Sequence, residues 1–433
     1  MSKRTEKTDD IISESIYELV KKGYGEYQQY INDGRYIPGV DGFKRVYRRY
    51  LVSTKERARG SLTSTNSVLS HAMENYHPHE VQPEVLYRLV NDGLVIGQGN
   101  FGSDRLYRKM GGAAPRYTEV RYNKALDNIL FKFEDYFIMQ DGEVSDKKEP
   151  QFLIMPVPYA LLRGTIGTGA GGVRTKIPAF TYESILDAYK NDNPQLLKSA
   201  YGLDIDYERS NLDKVWNKGF GKIVFKFNVE KNSDGSVTLS GDATNANPTI
   251  DLLKKWAADD LMTITDLSVK TMKLNFSRNN NIRKISDKDI YNEVMKASVI
   301  DDVRSIYYIM FSHKGTAIKM GIKGWLDLTM GLYRSTFERW KLSEVEKMKY
   351  NIEKLKLIPK VAEMIRANKT TQAIATEINK SKKYVSSIES LPLKMLRKTD
   401  FESQINKILD NIKLIEATDV DQLITSGKLI DNL

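Results

Sequence analysis

Two runs of apolar residues near the C-terminal end set the strongest limit on what this chain can fold into. Val345, Met348, Ile352 and Leu355 recur at 3-4-3 spacing, and Phe401, Ile405, Ile408, Ile412 and Ile415 at 4-3-4-3. A helix with such a seam must bury it along its length against a partner helix. Two such helices separated by roughly forty residues predict a long antiparallel coiled coil with a small domain at its far end. Pro359 and LPLKML at 391–396 are expected to interrupt the seams. Two ordinary core helices would show the same periodicity, so the pattern leaves that alternative open.

The rest of the chain must fold differently. A chain of 433 residues exceeds one compact core, so two or three domains are expected. Hydrophobic residues at 41% and charged residues at 28% describe a folded protein. No run approaches the roughly 20 apolar residues that cross a bilayer. The charged start MSKRTEKTDD lacks the apolar stretch of a secretory signal, so a cytoplasmic location without membrane contact is expected. The absence of cysteine removes disulfides and thiolate metal sites. His71, His77, His79 and His313 are too few for an all-protein metal cage, and no metal site is expected in this chain.

Residues 11–32 read as an amphipathic helix, with Ile12, Ile16, Leu19 and Val20 at helical spacing and a break at Gly23 and Gly25. Pro83 followed by Glu84 marks a helix start. Residues 126–150 begin helical and end in QDGEVSDKKEP, a polar boundary. From 151 to 325 the pattern is α/β: FLIMPVPYALL and KIVFKFNVEK look like strands, NSDGS like a hairpin turn and DLLKKWAADDL like a helix. The formal charge of +10 is concentrated. Between Arg35 and Arg59, eight basic residues (Arg35, Lys44, Arg45, Arg48, Arg49, Lys55, Arg57, Arg59) face only Asp41 and Glu56. Such concentration is the footprint of phosphate binding, although a solvated basic helix looks alike.

Four segments carry chemistry: YGEYQQYINDGRYIPGVDGFKRVYRR from Tyr24, YHPH from Tyr76, GQGNFGS from Gly97 and AAPRYTEVR from Ala113. Each alone is weak, since glycine-rich runs are mostly turns and His-Pro-His is mostly a surface loop. In this order and spacing they resemble the breakage-reunion region of the type IIA DNA topoisomerases, the family of the gyrase A, topoisomerase IV A and phage medium subunits. The resemblance continues through Lys148–Pro178 and Ser390–Ile412, and in size the chain is nearest the phage subunits.

That resemblance implies an α+β multidomain fold: an N-terminal helical arm (1–33), a winged-helix DNA-binding domain (34–150), an α/β tower domain (151–325) and a coiled coil with a small C-terminal dimerisation gate (326–433). The first helix of the winged helix would lie near 64–75 and its recognition helix at 83–91. The implied function is that of the DNA-cleaving and rejoining subunit of an ATP-dependent type II topoisomerase, which relaxes or decatenates DNA through a transient double-strand break and a 5′-phosphotyrosine linkage. Tyr117 would be the nucleophile. A tyrosine hydroxyl with a pKa of about 10 needs help losing its proton, and the five-coordinate phosphorus needs positive charge beside it. Arg116 would supply that charge, joined by Arg35, His77 and His79. Lys44, Arg45, Arg48 and Arg49 would hold the DNA backbone. Either Ile166 or Thr168, in the turn GTIGTGAGG, would wedge between base pairs.

The sequence departs from the family pattern in that turn, at Glu80-Val81-Gln82-Pro83 after YHPH, and in an IPGVDG loop one residue short. It shows no Walker A lysine motif and no acidic Toprim segment, and Asp204-Ile205-Asp206 reads as a solvated turn. Mg²⁺ and ATP are therefore expected on a Toprim/ATPase partner, with this chain a homodimer on double-stranded DNA within a heteromeric complex. The length leaves no room for a wrapping domain, which favours relaxation or decatenation over supercoiling. The setting would be the nucleoid of a bacterial or phage-infected cell. Two rival readings are a dimeric DNA-bending protein that has lost catalysis and a metal-dependent single-strand nickase of the HUH type.

Overall fold

The computed structural model describes residues 15–79, 81–103, 105–106, 110–144, 146–242, 261–279, 285–300, 304–311, 316–390 and 401–425. They form two compact units, one ending at Leu332 and the other starting at Tyr333. Helix and sheet are mixed, and among the described residues no helix is long and apolar enough to cross a membrane.

The first unit opens with α1 (Ile16–Ile31), which continues through Gly23 and Gly25 instead of breaking. A glycine inside a helix costs only about 1 kcal/mol relative to alanine, too little to end one. Ile16, Leu19, Val20 and Tyr24 of its apolar face are exposed, while Ile12 lies outside the described residues. A π-helical turn, Asn32–Tyr36, then leads into the IPGVDG loop. Asp41 of that loop is fully enclosed and accepts from Phe43 N (3.0 Å) and Leu153 N (2.8 Å). Gly42 adopts φ +81°, where a Cβ would stand 2.5 Å from Ala160 N.

The next elements are α2 (Arg45–Arg57), β1 (Thr63–Ser64), α3 (Thr65–Asn75), α4 (Pro83–Asn91), β2 (Val95–Gln98) and β3 (Glu119–Tyr122). The three strands pair antiparallel in the order β1-β3-β2. Leu69 and Ala72 of α3, Leu86 and Leu89 of α4, and Val120 and Tyr122 of β3 share one buried core. Pro83 opens α4 at its first turn as the sequence predicts.

Beyond β3 the expected helix is two short 3₁₀ turns, Lys124–Asn128 and Glu134–Tyr136, followed by the hairpin β4 (Met139–Asp141) and β5 (Lys148–Pro150). The polar run expected as a domain boundary is the turn of that hairpin, and it falls inside the first unit. FLIMPVPYALL is not a strand: it bends at residues 152 and 156–157, has no ladder partners and ends in α5 (Tyr159–Arg163). Pro156 and Pro158 have no N–H to donate to a ladder. β6 (Thr165–Thr168) and β7 (Arg174–Ile177) form a hairpin that joins Arg304–Ile306 and Phe220–Lys222 in a four-stranded sheet. KIVFKFNVEK gives short strands, and Asn232–Ser236 closes the predicted hairpin with Gly235 at φ +81°. Most of DLLKKWAADDL lies outside the described residues.

The second unit contains the two seams. One helix, Ile322–Arg366, is 45 residues long and passes through Pro359 without ending there. The predicted break fails because Ile358 and Val361 on either side of the proline are buried in a cluster with Ile374, Tyr384, Val385 and Ile388. Val345, Met348 and Ile352 pack against Ile405, Ile408, Ile412 and Ile415 of the returning helix Phe401–Ala417. Lys341 Nζ donates to Thr418 O (3.2 Å) and Arg334 pairs with Asp421 (2.8 Å), while Leu355 packs beside Phe401, so the pair is antiparallel. LPLKML lies outside the described residues.

Gly42→Ala should destabilise the first unit by about 2 kcal/mol or more, because it adds left-handed strain to a backbone clash. A fall in the denaturant midpoint of unfolding would show this, and an unchanged midpoint would contradict the packing described.

Candidate functional site

Tyr117 ends the 3₁₀ turn Pro115–Tyr117, immediately ahead of β3. Its N–H donates to Ala114 O (2.9 Å). The next residue, Thr118, is buried, and its hydroxyl donates to Thr65 Oγ1 (2.8 Å) at the start of α3. The turn is thus pinned from behind while the Tyr117 side chain stays 69% exposed. Arg116 stacks on it, with Cζ 4.7 Å from the ring centroid. A phenol with its oxygen in solvent and a guanidinium beside it is open to an anionic electrophile.

The GQGNFGS run packs against this turn and supports it. A Cβ on Gly97 would stand 2.5 Å from the Phe101 ring and 2.6 Å from Val90, and Gly102 needs φ +73°. Phe101 packs edge-on against Tyr87 (5.3 Å), and Asn100 O accepts from Ala113 N (2.8 Å). The loop therefore fixes the backbone that leads to Tyr117.

His77 and His79 form a second group, with ring centroids 4.9 Å apart. Arg49 Nη1 donates to His77 Nδ1 (3.0 Å). Arginine has no lone pair to accept with, so this bond places the neutral His77 proton on Nε2. Burial, and then the positive charges of Arg49 and His79, lower the His77 pKa to about 4. The Arg35 charge acts in the same direction, which puts exposed Arg35 in this neighbourhood. His79 is half-buried, with Nε2 2.7 Å from Glu143 Oε2 and 3.3 Å from Tyr30 Oη. The structure thus gathers Arg35, His77 and His79, and separately Arg116 and Tyr117. Among the described residues no hydrogen bond or ion pair joins the two groups.

His77, His79 and Glu143 each offer one ligand atom within 4.8 Å of the others. With its proton on Nε2 and Nδ1 occupied by Arg49, His77 has no free lone pair for a cation, and within the trio the close polar contact is the one between His79 and Glu143. Asp206 of the D-x-D run bonds Lys226 (2.8 Å) and is part of the fold.

The basic helix differs from a simple phosphate-binding face. Arg48 is 2% exposed and pairs with Asp41 (2.9 Å). Arg49 is 1% exposed and is held by Glu149 (2.6 Å) and Glu143 (3.1 Å). Arg45 reaches Glu149 (2.6 Å) and Asp33 (2.9 Å). Burial pushes the Glu149 carboxyl upward, but Arg49 and Arg45 hold it below the usual range. Of the four expected backbone contacts, then, Arg48 and Arg49 are internal, Arg45 is largely engaged, and Lys44 donates to Ile166 O (2.9 Å). Ile166 and Thr168 both project from the exposed side of β6, with Ile166 49% exposed and Gly167 pressed on the Tyr36 carbonyl between them. Sequence reading missed Glu143 and Glu149, whose polar hairpin looks like a linker until its partners are known.

Between about pH 6.5 and pH 4 the unfolded chain binds a proton at His77 that the folded chain refuses. Stability should therefore fall as pH drops through that window. His77→Gln should flatten this part of a melting-temperature profile and leave the carboxylate-linked loss at lower pH. An unchanged slope between pH 6.5 and 4.5 would contradict the assignment.

Residues 35–430 match the family model of the DNA gyrase/topoisomerase IV A-subunit. The DNA gyrase A-subunit of Helicobacter pylori (strain J99) is 30% identical over 261 residues, covering 54% of this chain and 31% of that protein. The DNA topoisomerase 4 A-subunit of Haemophilus influenzae is 25% identical over 461 residues, covering 96% of this chain and 60% of its own length. Its counterpart in Borreliella burgdorferi is 28% identical over 230 residues, covering 52% and 36%. The chain spans between about a third and three-fifths of these relatives. The family match extends over nearly the whole chain and takes in nearly every motif described above: the chain belongs to the A-subunit family of DNA gyrase and topoisomerase IV.

Proposed function

We propose that this chain is the DNA-cleaving and rejoining subunit of a type II DNA topoisomerase, with Tyr117 as nucleophile. The observation that carries the reading is the exposed Tyr117 ring on a turn anchored by Thr118 and Thr65, with Arg116 stacked against it. Tyr117 Oη gives up its proton to a nearby base or water as it attacks a backbone phosphorus, the P–O3′ bond breaks, and the freed 3′-oxygen takes up a proton. The phosphodiester survives as a 5′-phosphotyrosine ester, so the reverse attack by the 3′-hydroxyl reseals the strand without ATP at that step. Arg116 steadies the charge on the non-bridging oxygens. Half-buried His79 is better placed than His77 to exchange protons, because His77 is enclosed and its Nδ1 is committed to Arg49.

On this reading β1–α3–α4–β2–β3 is a winged helix with α4 its recognition helix, residues 151–325 are the tower, and the small cluster beyond the helix pair is the dimerisation gate. Ile166 is the better wedge, since its larger apolar side chain stands exposed. Mg²⁺ and ATP would be held by a Toprim/ATPase partner, and the substrate would be double-stranded DNA bound by a homodimer of this chain.

Combined with its Toprim/ATPase partner, Mg²⁺ and supercoiled plasmid, the wild-type chain should yield linear DNA after denaturant and protease. Tyr117→Phe should yield none, and Arg116→Ala should cleave about 100-fold more slowly or worse. Equal cleavage by wild type and Tyr117→Phe would remove the catalytic assignment of Tyr117, and duplex binding with no cleavage by either would favour a DNA-bending scaffold.

A further inference from the structure

Helix α4 uses two faces. Leu86 and Leu89 enter the shared core, while Tyr87, Val90 and Asn91, at i, i+3 and i+4, meet the backbone that leads to Tyr117. Asn91 Nδ2 donates to Gly102 O (3.3 Å), and a Cβ on Gly97 would stand 2.6 Å from Val90. Tyr87 reaches closest to the turn. Its ring meets Phe101 edge-on and lies against Gly112, where a Cβ would stand 2.5 Å from it. Its hydroxyl donates to the carbonyl of Ala113.

Ala113 is thereby held by both of its backbone polar groups, since its N–H donates to Asn100 O (2.8 Å). Only Ala114, Pro115 and Arg116 separate this anchor from Tyr117, and the ring of Pro115 fixes its own φ. On the far side, Thr65 N donates to Thr118 O (3.0 Å). The turn that carries Tyr117 is clamped at both ends, and one half of the upstream clamp is a side chain of α4. Tyr87 is buried and its proton is committed to Ala113, so it acts through the turn and not on the DNA.

We infer that Tyr87 is a positioning residue for the nucleophile: its hydroxyl couples α4 to the turn that presents Tyr117. The inference rests on the proposed function and deepens it. On that reading α4 lies against the duplex, so this bond makes the position of Tyr117 Oη depend on how DNA seats the helix. Without the hydroxyl, the Ala113 carbonyl loses the partner that fixes its direction. A displacement of about 1 Å at a reacting atom can slow a reaction by roughly 100-fold.

Tyr87→Phe removes the hydroxyl and keeps the ring, so the packing on Phe101 and Gly112 survives. The measurement is a single-turnover time course of covalent adduct on an end-labelled duplex, quenched in denaturant. The full chain would be combined with a candidate Toprim/ATPase partner and Mg²⁺, and anisotropy would give its affinity for the same duplex. The rate constant should fall about 10-fold or more in Tyr87→Phe, with duplex affinity within about twofold of wild type. Attack and its reversal share one transition state, so both slow together and the adduct amplitude should be kept. Tyr207→Phe, which removes a comparable bond to Leu197 O (2.9 Å) outside α4 and the turn, should change none of these. An unchanged rate constant in Tyr87→Phe would overturn the inference. So would a smaller amplitude at an unchanged rate constant, which reports fewer folded molecules and not a displaced nucleophile. Weaker duplex binding at an unchanged rate constant would also overturn it, because Tyr87 would then serve DNA seating alone. No adduct from the wild type would instead sink the functional reading on which the inference rests.

Discussion

The buried carboxylate of Glu149 is the group on which the candidate site most depends. It lies on β5 and binds two guanidiniums of α2, Arg45 and Arg49, and Arg49 in turn orients His77. Asp41 does the same service for Arg48. Removing one partner of such a buried pair leaves the other charge enclosed and unpaired, at a cost of about 3–5 kcal/mol. The pairs therefore do more to fix one arrangement of helix, hairpin and histidines than to add net stability. A histidine whose tautomer is set by an arginine, itself clamped by two acids, has a defined donor atom before any substrate arrives.

Tyr117 is built on the opposite principle. Its backbone is tied down, through Thr118 to α3 and through the glycine-rich loop to Asn100, but its side chain is left in solvent. One group of candidate residues is thus held rigid and enclosed, and the other is presented on a short turn. A phosphodiester bound across both would complete the constellation. Under the proposed function this division would suit a reaction that releases and reseals a strand, because the attacking group would have to be reachable in both directions.

Much of the fold was legible in the sequence because its periodic elements satisfy their own local rules. The seams of Val345–Ile352 and Ile405–Ile415 pair as spaced, and Pro83 starts α4. The misses have different causes: packing overrode a local signal at Pro359, whereas at α1 and in the proline-containing run a local signal was misweighed. Pro359 is carried through by the buried side chains around it, and Gly23 and Gly25 do not stop α1. Prolines kept an apolar run from joining a sheet, although its composition is that of a strand. For the proposed site, motif order singles out Tyr117, Arg116 and the histidines, and the structure adds where each of them lies. What composition overstated was the positive surface of α2. Asp41 neutralises Arg48, and Glu149, 100 residues along the chain, neutralises Arg49. Net charge along a window says nothing about a partner so distant.

The most direct measurement is to locate the protein–DNA bond itself. A duplex with phosphate labelled at the proposed cleavage step would be incubated with the chain, a candidate Toprim/ATPase partner and Ca²⁺, trapped with denaturant, and digested with nuclease and trypsin. The account predicts the label on the peptide Tyr117–Arg121, which trypsin frees by cutting after Arg116 and Arg121. Label on any other peptide, or a trapped complex without a tyrosyl phosphate, would contradict it.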